Sequence, residues 1–179
     1  MVSSQHSLQS TYLILGGARS GKSHYAEKLA LESGKEIVYI ATTIIMDDEI
    51  AQRVSRHKKD RPAEWITVEE PLGLAKSLEK WASPERVVLI DCLTMWLTNL
   101  LSDTDKSLLN NERDQLLTCL PNIPGTLIFV SNEVSMGVIP MGELTRQFVD
   151  EAGLLHQRLA ECVDSVTLMV AGLPHHLKP

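Results

Sequence analysis

The chain has 179 residues, 44% of them apolar, which is enough for one domain with a three-layer core. Its formal net charge of −6 leaves no broad cationic surface and argues against a general nucleic-acid binder. Cys92, Cys119 and Cys162 lie far apart and form no C-x-x-C pair, so they point to reduced thiols in a cytoplasmic protein rather than a disulfide framework or a zinc site. Residues 1–10 are polar, without the apolar core of a signal peptide, and read as a flexible leader to a single nucleotide-binding catalytic domain over 11–179. No run reaches the roughly 18 apolar residues of a membrane span.

The first informative stretch is Gly16-Gly17-Ala18-Arg19-Ser20-Gly21-Lys22-Ser23. It follows the apolar run Tyr12–Leu15 and leads into a helical pattern, which gives strand, glycine-rich turn, helix. The spacing is G-x-x-x-x-G-K-S, the phosphate-binding P-loop. Backbone N–H groups of such a turn and the positive end of the next helix cradle an anion. Lys22 is expected to reach the β- and γ-phosphates of ATP or GTP, and the Ser23 hydroxyl to ligate Mg²⁺.

The helix after the P-loop has Tyr25, Ala26, Leu29 and Ala30 on one face and a stop at Ser33-Gly34. Ile37–Ile40 reads as a buried parallel strand ending in Ala41-Thr42-Thr43. Hydroxyls at that edge of an α/β sheet suit a ligand, and simple turn chemistry explains them equally well. Asp47-Asp48-Glu49 opens an expected helix running to about Lys59. It leads into the basic segment Arg53-Val54-Ser55-Arg56-His57-Lys58-Lys59-Asp60-Arg61-Pro62. Such a run is commonly a solvated face; in a chain with a P-loop it also suits the charge of a triphosphate.

Trp65–Val68 reads as a strand, and Glu69-Glu70-Pro71 as the opening of a helix with Leu74, Leu78 and Trp81 on its core stripe. Val87–Ile90 closes on Asp91, the pattern of a Walker B strand whose carboxylate holds Mg²⁺ across from Ser23. Leu93–Leu101 is a helix, 102–111 a polar surface connection, and Glu112–Leu120 a helix. Thr126–Val130 is a further buried strand ending in Ser131-Asn132-Glu133. The loop 134–142, with Gly137, Pro140 and Gly142, reads as a lid or substrate loop. Leu144–Cys162 is the longest helix, and its His156 reads as a structural side chain. Val166–Val170 is the last expected strand, and 173–179, with His175-His176, reads as a solvated tail. The architecture that follows is a mostly parallel, three-layer α/β sheet.

The ordered set of motifs resembles the bifunctional adenosylcobinamide kinase and adenosylcobinamide-phosphate guanylyltransferase family of cobalamin biosynthesis. The matching residues are the octet at 16–23, Tyr39-Ile40-Ala41-Thr42, Asp47-Asp48-Glu49, Arg53 with His57, Arg61-Pro62, and Asn132-Glu133-Val134 with Gly137 and Pro140. The sequence departs from the family at Ser135, where glycine is usual, at Val149, where arginine is frequent, and at His156, where Asn is expected. The resemblance implies a RecA-like P-loop sheet and a homotrimer. It implies phosphorylation of adenosylcobinamide by ATP or GTP, then transfer of GMP from GTP to adenosylcobinamide phosphate through a guanylylated histidine, here His57. Nucleotide contacts are implied at the P-loop, Ala41, Thr42, Thr43, Lys58, Lys59, Asp60, Arg61, Glu69 and Asp91.

The residue chemistry is compatible with that scheme. An imidazole attacks phosphorus only when neutral, and the cations Arg53, Arg56 and Lys58 disfavour imidazolium. Glu69 suits a guanine edge or a ribose hydroxyl. Two other readings fit the residues alone. One is a small-molecule kinase in which His57 only binds phosphate. The other is a nucleotide-dependent switch, which the lack of an N-K-x-D-type guanine motif disfavours.

Overall fold

A computed structural model describes residues 10–44, 52 and 61–179. Of the helix expected over 47–59 only residue 52 is among the described residues; His57, Lys58, Lys59 and the following Asp60 lie outside them. The described strands are β1 (Ser10–Gly16), β2 (Glu36–Ala41), β3 (Ile66–Glu69), β4 (Arg86–Asp91), β5 (Thr126–Asn132), β6 (Ser165–Val170) and β7 (Leu173–Lys178). The described helices are α1 (Lys22–Glu32), α2 (Leu74–Trp81), α3 (Leu93–Ser102), α4 (Leu108–Cys119) and α5 (Glu143–Cys162).

The strands form one sheet in the order β3-β2-β4-β5-β1-β6-β7, parallel throughout except for the antiparallel β6–β7 pair. The apolar runs read from the sequence are the interior strands. Leu127, Ile128, Phe129 and Val130 of β5 are fully buried because helices cover both faces. Alternation along each strand sorts the core into two. Leu13, Leu15, Val88, Ile90 and Phe129 pack with α2, α3, α4 and α5. Ile14, Tyr39, Leu89 and Val130 pack with α1, whose Ala26 and Ala30 are fully buried. Small alanine side chains let α1 lie close on the sheet, and this fixes where the P-loop must turn.

Three expectations change. Residues 173–179 are not a solvated tail; Leu173–Lys178 is an edge strand, joined to β6 through Ala171 (φ 51°) and Gly172 (φ 79°). Two consecutive left-handed residues make the tight hairpin turn that matches strand twist. The helix placed at 112–120 begins at Leu108, because Leu109 is buried in the core and draws the polar Asn110 and Asn111 into the first turn. The helix expected from Glu69-Glu70-Pro71 starts at Leu74; Glu70 instead accepts hydrogen bonds from the Leu72 and Gly73 N–H groups and shapes the approach to α2. Strand β1 includes Ser10, which pairs with Thr126.

The strand ends are tied together by Asn99 of α3. Its amide is buried and donates to the Thr42 carbonyl at 2.7 Å and the Pro71 carbonyl at 3.0 Å. Asn99→Ala strips both acceptors of their donor and is expected to lower the unfolding free energy by about 2–3 kcal/mol, read as a lower midpoint in urea.

Candidate functional site

The P-loop joins β1 to α1 as the motif requires. Its first glycine is forced by space: a Cβ on Gly16 would overlap the Ser20 hydroxyl and come within 2.7 Å of the Met169 carbonyl. Gly21 sits at φ 93°, in the left-handed region, immediately before α1. Between them Gly17, Ala18 and Arg19 are exposed, so the loop backbone faces outward where a phosphate would lie. The Ser20 N–H donates to the Gly17 carbonyl at 3.2 Å, and the Gly172 N–H donates to the Ser20 carbonyl at 3.0 Å. The turn between β6 and β7 therefore backs the P-loop. The Ser20 hydroxyl is buried and has no partner among the described residues.

Lys22 is buried, and its ammonium donates to the Gly17 carbonyl at 2.9 Å. Burial lowers its pKa, while the Asp91 charge acts in the opposite direction. A desolvated ammonium held by one neutral oxygen is poised for an anion, and phosphate oxygens meet that need. Ser23 follows it, half-buried at the start of α1.

Asp91 ends β4, in register with Ala41 of β2 and Val130 of β5. The Tyr39 phenol lies near its carboxylate, and burial first, with the Asp91 charge second, pushes the phenol pKa up. Tyr39 escaped the sequence reading as a functional residue, since a tyrosine inside an apolar strand looks like core. Arg61 lies over the Tyr39 ring at 3.5 Å, and Tyr39 stacks with Trp65.

Thr42 is fully buried. Its hydroxyl donates to the Cys92 carbonyl at 2.7 Å and accepts from the Cys92 N–H at 3.0 Å. The hydroxyl's donor and one of its lone pairs are engaged, so it braces the ends of β2 and β4; Ala41 and Thr43 flank it, half-buried. The Cys92 thiol is pushed up to about 11, chiefly by burial, which leaves it without thiolate character. Glu69 ends β3, exposed, in register with Ala41. A cavity of about 510 Å³ is lined by Arg61, Pro62, Ala63, Trp65, Thr67 and Glu69. It offers a cation, an aromatic ring, a hydroxyl and a carboxylate. A larger groove of about 720 Å³, including Lys76, Glu79 and Asn111, shares no residue with any of these.

Next to the P-loop lies a group that joins the Ser131-Asn132-Glu133 strand end to a distant helix. The Glu133 N–H donates to the Gly16 carbonyl at 3.0 Å, and the Asn132 N–H donates to the Thr94 hydroxyl at 2.8 Å. His156 of α5 is buried, with Nε2 at 2.8 Å from the Ser131 hydroxyl and Nδ1 at 3.9 Å from Glu133. It is packed as the sequence suggested, yet it stands beside a carboxylate on the rim of the site.

A family profile described as "Cobinamide kinase / cobinamide phosphate guanyltransferase" matches residues 12–177. The chain belongs to that family. With this membership it is a transferase of the cobinamide kinase and guanylyltransferase class. It is 55% identical over 166 residues to the "Bifunctional adenosylcobalamin biosynthesis protein CobP" of Pseudomonas aeruginosa, covering 93% of this chain and 96% of that protein. It is 38% identical over 179 residues to the "Bifunctional adenosylcobalamin biosynthesis protein CobU" of Escherichia coli K12, covering 93% and 98%. Among solved structures the RadB recombinase superposes with a TM-score of 0.52 at 18% identity, over 89% of this chain and 73% of that one. That likeness concerns the fold, which is the RecA-like P-loop sheet expected from the sequence. No helix among the described residues is long and apolar enough to cross a membrane.

The His156 environment gives a pH signature. Burial lowers its pKa, and Glu133 opposes that only partly. The folded state thus binds a proton less readily than the unfolded chain. Its contribution is fully present above the ordinary imidazole value of 6.5 and is lost as pH falls through the lower folded value. His156→Asn is expected to lose less stability than the parent chain between about pH 7 and about pH 5, measured by urea midpoints at both.

Proposed function

We propose that this chain phosphorylates adenosylcobinamide with ATP or GTP. It then transfers GMP from GTP to adenosylcobinamide phosphate through a guanylyl-histidine at His57, giving adenosylcobinamide-GDP and pyrophosphate. The observation that carries this reading is the buried Lys22 ammonium at the base of an intact P-loop, in a chain that matches its family nearly end to end. In this reading residues 16–23 hold the polyphosphate. The cavity formed by Arg61, Trp65, Thr67 and Glu69 takes the guanine and ribose: the carboxylate accepts from N–H or hydroxyl groups, and the ring and guanidinium supply flat faces. Lys58, Lys59, Asp60 and Arg61 continue the contact, and His57 approaches the α-phosphorus. The chain acts as a homotrimer with small-molecule substrates and no nucleic acid.

The donor set also fits Mg²⁺. The described residues hold no cluster of three or more His, Cys, Asp or Glu able to cage a metal. Mg²⁺ keeps several waters and takes one or two protein oxygens plus phosphates, and Ser23 with Asp91 supplies that number. Bound there, the ion would neutralise charge on the phosphates. The exposed apolar side chains Met136, Val138, Ile139 and Met141, in the loop that follows Glu133, suit the apolar faces of a corrinoid.

α-Labelled GTP is expected to leave an acid-labile, base-stable label on the protein, and His57→Ala to abolish it. A parent chain that takes up no label would remove the guanylyl-histidine from the scheme. Lys22→Ala is expected to lower the rate of cobinamide phosphorylation at least about 100-fold, because the ammonium stabilises charge on the transferring group. An unchanged rate would place the phosphate donor elsewhere.

A further inference from the structure

Phosphoryl transfer to an alcohol needs an acceptor for the hydroxyl proton, and several carboxylates lie near the sheet's C-terminal edge. Asp91 stands beside the Tyr39 phenol, lies within the field of Lys22 and is the carboxylate placed at Mg²⁺ above. Glu69 ends β3, and the sheet order places three strands, β2, β4 and β5, between β3 and the P-loop strand β1. Glu133 is different. Its backbone N–H is bonded to Gly16, the first residue of the P-loop. Gly17, the next residue, holds the Lys22 ammonium.

The Glu133 carboxylate is oriented from two sides. One oxygen, Oε1, accepts from the Ser135 N–H at 2.6 Å and from the Ser135 hydroxyl. The other, Oε2, faces His156 Nδ1 at 3.9 Å, too far for a hydrogen bond. No donor among the described residues reaches Oε2. Its lone pairs are open, and the side chain keeps 14% of its surface exposed. The imidazole is fixed from behind by Ser131. When the Ser131 hydroxyl donates to Nε2, the ring proton sits on Nδ1 and faces Oε2. A neutral ring in that tautomer turns an N–H toward Oε2 without hydrogen-bonding to it.

We propose that Glu133 is the general base of the phosphoryl-transfer step, and that Ser131 and His156 are positioning residues for its free oxygen. Oε2 takes the proton of the substrate hydroxyl as that oxygen bonds to the γ-phosphorus. The bond from the γ-phosphorus to the β,γ-bridging oxygen breaks, and the nucleoside diphosphate leaves with the electron pair. Ser135 supplies the second hold on the base at a position where the family usually carries glycine, and His156 stands where Asn is expected. The two departures from the family pattern therefore converge on one carboxylate. The proposal rests on the kinase reading above.

The test is steady-state phosphorylation of adenosylcobinamide by the full chain, with nucleotide binding followed separately. A parent chain that makes no phosphorylated product refutes the kinase reading itself, before any variant is considered. Given an active parent, Glu133→Gln keeps an oxygen for Ser135 and removes the base. Its kcat is expected to fall at least about 100-fold, with the nucleotide KM changed less than about threefold. A fall of less than about fivefold in kcat overturns the proposal. If Glu133→Gln melts early, Glu133→Ala with added formate decides: partial return of the rate supports a missing base, and no return overturns it. His156→Leu is expected to lower kcat about tenfold without raising the nucleotide KM, and His156→Asn to recover it. A loss confined to KM removes His156 from the positioning role.

Discussion

A lysine ammonium shut away from water and held by one carbonyl oxygen sets the terms for this edge of the sheet. Lys22 can be buried there only because the loop around it is rigid, and the loop is rigid because each flank is fixed. Gly16 is pinned by its crowding against Ser20 and Met169. The helix behind is drawn onto the sheet by two alanines. Neither is a contact to a ligand, yet both determine whether a cation can be buried with one carbonyl oxygen as its hydrogen-bond partner.

The same economy extends along the rim. The parallel strands bring Gly16, Ala41, Glu69, Asp91 and Asn132 to one side of the molecule, because a parallel sheet points all its C-terminal ends the same way. Side chains then divide between bracing and chemistry. Thr42 and Asn99 are consumed in holding strand ends together. Tyr39 lies beside Asp91, and His156 stands behind Glu133.

Much of this was legible in the sequence for a physical reason. An octet of fixed spacing between an apolar run and a helical pattern has few structural solutions, and β2, β4 and β5 announce themselves as unbroken apolar runs. The hairpin partner β7 does not, because all but its last residue is exposed and no apolar stripe marks it. Its one signal was Ala171-Gly172 after a strand. The start of α4 was masked by two asparagines whose helical state is imposed by Leu109 beneath them. Ser131 and Glu133 stood out at a strand end, but their meeting with His156 did not, for another reason. The three meet only because α5 folds back over β5, and no local pattern records that meeting.

The backing of the phosphate turn has a consequence for how the molecule is made. The carbonyl of Ser20 is held by the N–H of Gly172, and Gly21 lies against Gly172, so an early segment waits for a late one. During translation the motif emerges from the ribosome long before its buttress. A nascent chain arrested ahead of Ala171 would carry the whole octet and still lack a firm anion seat.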